Sequence, residues 1–219
     1  MMAAFVVVLI CSNIIGPAKL ATIEFGDMNF IYGAGVLFFP LSYVFGDVLT
    51  EVYGYARARK VIWVGFVGVF FASIMSYVIV ALPPAPGWEG QEAYALIFGQ
   101  VPRIVLASLI AFFTGEMINA YVMARMKIWT RGKHLWTRTI GSTVVGQGMD
   151  SLIFYPVAFF GIWENDVLLT VILSNFLIKV SWEAVLTPVT YKMVGMLKKA
   201  ENVEIFDDNT NFSPFKINE

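Results

Sequence analysis

The sequence holds a single cysteine, Cys11, and a single histidine, His134. One cysteine excludes an internal disulfide framework, and the pair of them is too few for a zinc cluster. His134 would have to serve any Ser-His-Asp triad alone, and it lies in a basic, aromatic run that reads as an interfacial loop. Charge is scarce too: 14% of the 219 residues are Asp, Glu, Lys or Arg, against about 25% in soluble domains. With a net charge of −1 there is no electrostatic footprint for direct nucleic-acid binding. No HExxH, GxSxG or Walker-type phosphate loop occurs. The first residues lack the basic flank and small-residue cleavage site of a secretory leader, so the run from Met2 reads as a membrane helix.

What the chain has instead is long apolar runs. It is 58% hydrophobic with a mean hydropathy of +0.71, which marks an integral membrane protein in contact with a lipid bilayer. Six spans are expected: one from Met2 to about Leu20, with Pro17 kinking or ending it, then Gly33–Gly54, Val61–Leu82, Pro102–Val122, Gly141–Gly161, and a last from beyond Asp166 toward Leu197. Ala21–Tyr32 is too polar to cross and reads as a hairpin turning at Gly26-Asp27. Gly87–Gln100 is too brief to span and reads as a surface or re-entrant helix. The expected fold is therefore an all-α integral membrane protein, with residues 1–199 a six-helix transmembrane domain and 200–219 a polar cytoplasmic tail. In that tail Glu201, Glu204, Asp207 and Asp208 read as water-facing.

Lysine and arginine set the orientation. Twelve of the fifteen fall in the 2–3 loop (Arg57, Arg59, Lys60), the 4–5 loop (Arg125, Lys127, Arg131, Lys133, Arg138) and the C-terminal side (Lys192, Lys198, Lys199, Lys216). Both termini are then cytoplasmic, with Trp88 and Trp163 at the outer interface and Trp129 and Trp136 at the inner one. A three-plus-three inverted arrangement is compatible with this, although the halves show only faint similarity.

The polar residues inside the spans carry the functional signal. Asp150 sits near the middle of the fifth span, where a carboxylate costs roughly 3 kcal/mol on insertion scales. Lys179 and Glu183 lie at comparable depth in the sixth, and Glu116 in the fourth. Asn13, Asn119, Gln147 and Asn175 add neutral hydrogen-bonding groups. Two readings stand. Lys179 and Glu183, four residues apart, can pair on one helix, and the whole set can be a network that fixes packing. Buried pairs often fail to recover their desolvation cost, which favours a polar cavity handling a substrate or proton. Glu51 with the nearby arginines suggests an interfacial ion pair. Asp47 and Asp150 are the two embedded aspartates that a membrane aspartyl protease would need, but no motif surrounds them.

Over nearly its whole length the chain resembles the queuosine-precursor transporter family, also labelled putative vitamin uptake transporters. The resemblance lies in FPLSYVFGDVLTEVYGYARARKVIW (Phe39–Trp63), GEMINAYVMARMK (Gly115–Lys127), GQGMDSLIFYPVAF (Gly146–Phe159), KVSWEAVLTPVTY (Lys179–Tyr191) and the closing NFSPF (Asn211–Phe215). It implies import of queuine or 7-deazaguanine bases through the cell membrane for transfer-RNA modification, with no cofactor. A guanine-like base offers N–H donors to Asp150 or Glu116 and a carbonyl to Lys179, Gln147 or Asn119. Two other functions remain open: a substrate-binding membrane subunit of a multi-component vitamin or nucleobase importer, and an acid-dependent membrane enzyme. Homo-oligomerisation is also left open.

Overall fold

The computed structural model describes residues 2–14, 20–25, 28–33, 38–98, 102–161 and 165–216. Along the chain come α1 (Met2–Ile14), β1 (Leu20–Phe25), β2 (Met28–Gly33), α2 (Phe39–Tyr53), α3 (Tyr55–Ala81), α4 (Gln91–Phe98), α5 (Pro102–Trp129), α6 (Leu135–Phe159) and α7 (Asn165–Glu201). Among the described residues three helices are long and apolar enough to cross a membrane, over Tyr55–Ala81, Leu106–Trp129 and Val171–Glu201. The strands pair antiparallel from Leu20↔Gly33 to Phe25↔Met28, so the expected hairpin forms and the fold is not purely helical. Its Gly26-Asp27 turn, like Pro17, Lys19 and Trp163, lies outside the described residues.

Helices α2, α5, α6 and α7 form a ring in which each packs on its neighbours, and α1 and α3 cover the α2–α5 flank. Phe5 and Leu9 of α1 are fully buried. Leu9 fits there because Gly65 of α3 has no Cβ, which would lie 2.8 Å from the leucine methyl. Farther along α3, Val67, Phe70, Phe71, Ile74 and Tyr77 are exposed, the apolar outer face a lipid-facing helix presents. Short α4 buries no residue and packs on α3.

The basic segments expected as loops are mostly helix. Gly54, at φ +80, turns the chain between α2 and α3 with a single residue, so Arg57, Arg59 and Lys60 stand in the first turns of α3. Helix α5 runs on past Val122 to Trp129, and α6 starts at Leu135, so Arg125, Lys127 and Arg138 are helical. Only 130–134 remains as the connection, with positive φ at Arg131, Gly132 and His134.

Residues 202–216 dock on the bundle. Asp207, expected to face water, is 2% exposed, because both carboxylate oxygens accept the Tyr55 N–H at 3.1 Å and cap α3. Arg59 donates to the carbonyls of Asn211 and Ser213 at 2.7 and 2.6 Å, and the Trp63 indole donates to Pro214 O at 2.8 Å. Phe212 packs on Tyr55 and Tyr121. Outside the bundle, the Lys198 ammonium holds the Glu204 carboxyl below the usual carboxylate range.

Candidate functional site

Tyr43, Asp47 and Glu51 recur at every fourth residue of α2 and therefore share one helical face. Lys179 and Glu183 repeat that spacing on α7, and Glu116 and Asn119 lie one turn apart on α5. Packed in a ring, these helices stack their polar side chains in three layers.

The first layer surrounds a cavity lined by Ser42, Tyr43, Phe112, Gly115, Glu116, Gln147 and Asp150, with room for about one water molecule. The Tyr43 hydroxyl donates to Gln147 Oε1 at 2.9 Å. Lys179 reaches across from α7 to Asp150, Nζ to Oδ2 2.5 Å, with both side chains mostly buried. Glu116 is 3% exposed. The α5 and α6 backbones touch here, since a Cβ on Gly146 would lie 2.8 Å from Gly115 O, and one on Gly115 would lie 3.1 Å from Gly146 O. That contact sets Glu116 of α5 beside Gln147 and Asp150 of α6.

The second layer is Asp47, Asn119 and Glu183. Asn119 Nδ2 donates to Asp47 Oδ1 at 2.9 Å. Asp47 and Glu183 are both fully buried. The Lys179–Glu183 pair expected on one helix is not made: Lys179 goes to Asp150, and no donor among the described residues reaches either Glu183 oxygen.

The third layer is an ion cluster centred on Glu51, fully buried. Arg138 donates to it from Nε at 2.7 Å and from Nη2 at 2.8 Å, the fork geometry that suits a carboxylate. Lys198 adds a 2.8 Å bond, and Lys127 Nζ lies 3.5 Å from Oε1 while donating to Glu51 O at 2.6 Å. The partners come from α5, α6 and α7, and not from the neighbouring Arg57 and Arg59 suggested by the sequence. Three cations around one carboxylate would repel each other, but Arg138 also donates to Lys133 O, Lys127 to Ile205 O, and Lys198 to Glu204.

Of the residues singled out in the sequence, Asp150, Glu116 and Gln147 line the cavity, Lys179 bonds to Asp150, and Asn119 and Glu183 lie one turn below. Asn13 stands at the α1–α5 contact, accepting from Ser108 at 2.9 Å and donating to Leu9 O. Asn175 donates to Val171 O on its own helix at 3.1 Å. Tyr43 was not singled out, and Asp47 only as a protease-type aspartate, although their four-residue spacing with Glu51 was legible. Among the described residues no group of three or more His, Cys, Asp or Glu is placed to hold a metal.

Residues 33–193 match the model of a family described as putative vitamin uptake transporter. A relative from Bacillus subtilis (strain 168), described as a probable queuosine precursor transporter, is 33% identical over 88% of this chain and 82% of its own length. Relatives from Haemophilus influenzae, with the same description, and from Escherichia coli (strain K12), described as a queuosine precursor transporter, are 31% and 30% identical. These two matches cover 61% and 57% of this chain and 54% of each relative. No solved structure matches.

Proposed function

The chain belongs to the putative vitamin uptake transporter family, and we propose that it is a multi-pass plasma-membrane transporter importing a queuosine precursor. The substrate is a 7-deazaguanine-type base. The observation that carries this reading is the Asp150–Lys179 pair at a buried cavity shared with Glu116, Gln147 and Tyr43. A purine-like base presents adjacent N–H donors and a carbonyl on one edge. Carboxylates at Asp150 and Glu116 accept from the donors, Lys179 or the Gln147 amide serves the carbonyl, and Phe112 and Tyr43 offer ring faces. Asn119 and Glu183, a turn away, do not touch the base.

The cavity holds about one water, far less than a base, so the cavity walls must part for substrate to enter. The Glu51 cluster ties α2, α5, α6 and α7 together at one end. With six spans and both termini cytoplasmic, that end faces the cytoplasm, and the cluster is the closed inner gate of an alternating-access cycle. The concentration of Arg57, Arg59, Lys60, Lys127, Arg138 and Lys198 at the same end supports this orientation.

Thermal-shift titration of the purified chain with 7-deazaguanine bases tests the reading. A base raises the melting temperature of the wild type, whereas Asp150→Asn abolishes the rise. If the folded wild type shows no rise with any such base, the reading fails.

A further inference from the structure

Among the described residues the second layer has no counter-cation. Asp47 and Glu183 are both fully buried, on α2 and α7. Those two helices pack on each other, and Asn119 donates to Asp47 Oδ1 at 2.9 Å in the same layer. Yet no donor among the described residues reaches Asp47 Oδ2 or either Glu183 oxygen, and Asn119 Oδ1 beside them is also without one. Two carboxylates are acceptors only, so a bond between them needs a hydrogen that neither possesses when both are ionised. Like charges on neighbouring helices, removed from water and without a donor, disfavour each other strongly. Lys179 is committed to Asp150, and the cations of the third layer are committed to Glu51. Among the described residues the other titratable groups near the pair are Glu116 on α5 and Tyr43 and Glu51 on α2, with Asp150 of α6 beside Glu116. None of these is a cation.

A metal ion fits poorly, since among the described residues no group of three or more His, Cys, Asp or Glu is placed to hold one. A proton fits. We propose that Asp47 and Glu183 share a single proton, and that this proton travels inward with each substrate molecule. The proposal rests on the transporter reading above and supplies its driving force.

The coupling follows from spacing. Asp47 is four residues beyond Tyr43 on α2, Glu183 four beyond Lys179 on α7, and Asn119 three beyond Glu116 on α5. The proton pair thus sits about 6 Å along the axis from the substrate layer, on the same three helices. Any parting of α2 from α7 that opens the substrate layer also separates Asp47 from Glu183. Apart and hydrated, the two carboxyls no longer share a proton, and it leaves to the side then open. Loading adds one proton from the outer medium and takes the pair from two negative charges to one; release to the cytoplasm restores two. Because linkage is reciprocal, a substrate that favours the closed arrangement favours proton binding equally.

The test uses the full chain in sealed proteoliposomes with a tritiated 7-deazaguanine base, alongside binding of the same base in detergent. In the wild type, an acid-outside gradient of about one pH unit raises initial uptake severalfold, toward the tenfold accumulation that one proton per substrate allows. A protonophore removes the increase. Glu183→Gln and Asp47→Asn bind the base in detergent but no longer respond to the gradient. Uptake by the wild type that ignores the pH gradient, or that follows a sodium gradient instead, overturns the proposal. If the wild type binds no base, the substrate reading fails, and infrared spectroscopy decides the proton site independently. A protonated-carboxyl C=O band at neutral pH, lost in both Glu183→Gln and Asp47→Asn, supports it. Absence of that band from the folded wild type overturns it.

Discussion

Asp207 caps a helix that begins 152 residues earlier in the chain, its two oxygens each 3.1 Å from the backbone N–H of Tyr55. Gly54, at φ +80, delivers the chain into α3 without a side-chain cap of its own, so the C-terminal segment supplies one. Asp207→Ala is expected to cost about 1 kcal/mol, the usual value of an N-cap. A lowered melting temperature in detergent would show it, and an unchanged one would mean that the aromatic contacts of Phe212 hold the segment alone.

The α5–α6 contact predicts a contrast between two glycines of α6. A methyl at Gly146 meets the Gly115 carbonyl oxygen and Asn119 Cβ, both at 2.8 Å, and a helix backbone cannot yield locally. Gly146→Ala is expected to destabilise by roughly 1–3 kcal/mol, as overpacking does. Gly148→Ala meets only Phe176, at 3.6 Å, and is expected to melt like the wild type. Equal melting temperatures for the two variants would remove the close contact as an explanation for glycine at 146.

At the third layer, Glu51→Gln removes the charge that Arg138, Lys198 and Lys127 surround. Stranding buried charge costs about 3–5 kcal/mol. Glu51→Gln combined with Arg138→Met is expected to recover part of that loss. A double variant no more stable than the single one would show that the pair is not coupled in the way its geometry requires.

For Asp150 and Lys179, stability and transport are expected to separate. Each single neutral substitution strands its partner, whereas Asp150→Asn with Lys179→Met removes both charges and restores the folded state. Uptake of the base stays low, because the acceptor and donor facing it are gone. Near-normal uptake by the double variant would make the pair structural and leave Glu116 and Gln147 as the recognition groups.

The orientation has its own check, in a Cys11→Ala background. A cysteine at the exposed Lys133 is expected to resist an impermeant thiol reagent in intact cells, whereas one at the exposed Glu92 reacts. Labelling of position 133 from outside would reverse the proposed topology.

The membrane class, the hairpin and the mid-span polar residues were legible in the sequence because each depends on local composition. Apolar runs report burial in lipid, the polar stretch around Gly26-Asp27 reports a turn, and an Asp, Glu or Lys within an apolar run stands out wherever its helix packs. Pairing was not legible. Lys179 had Glu183 one turn away and Asp150 on another helix, and only the α6–α7 packing decided for Asp150. Glu51 had arginines six and eight residues along, yet a one-residue turn at Gly54 carries those into α3 while the ring brings Arg138 from 87 residues away. Asp207 read as solvated because its neighbours are polar; its burial depends on an uncapped helix start that local composition does not reveal. Composition places a residue at a depth, but its partner at that depth is set by which helices touch.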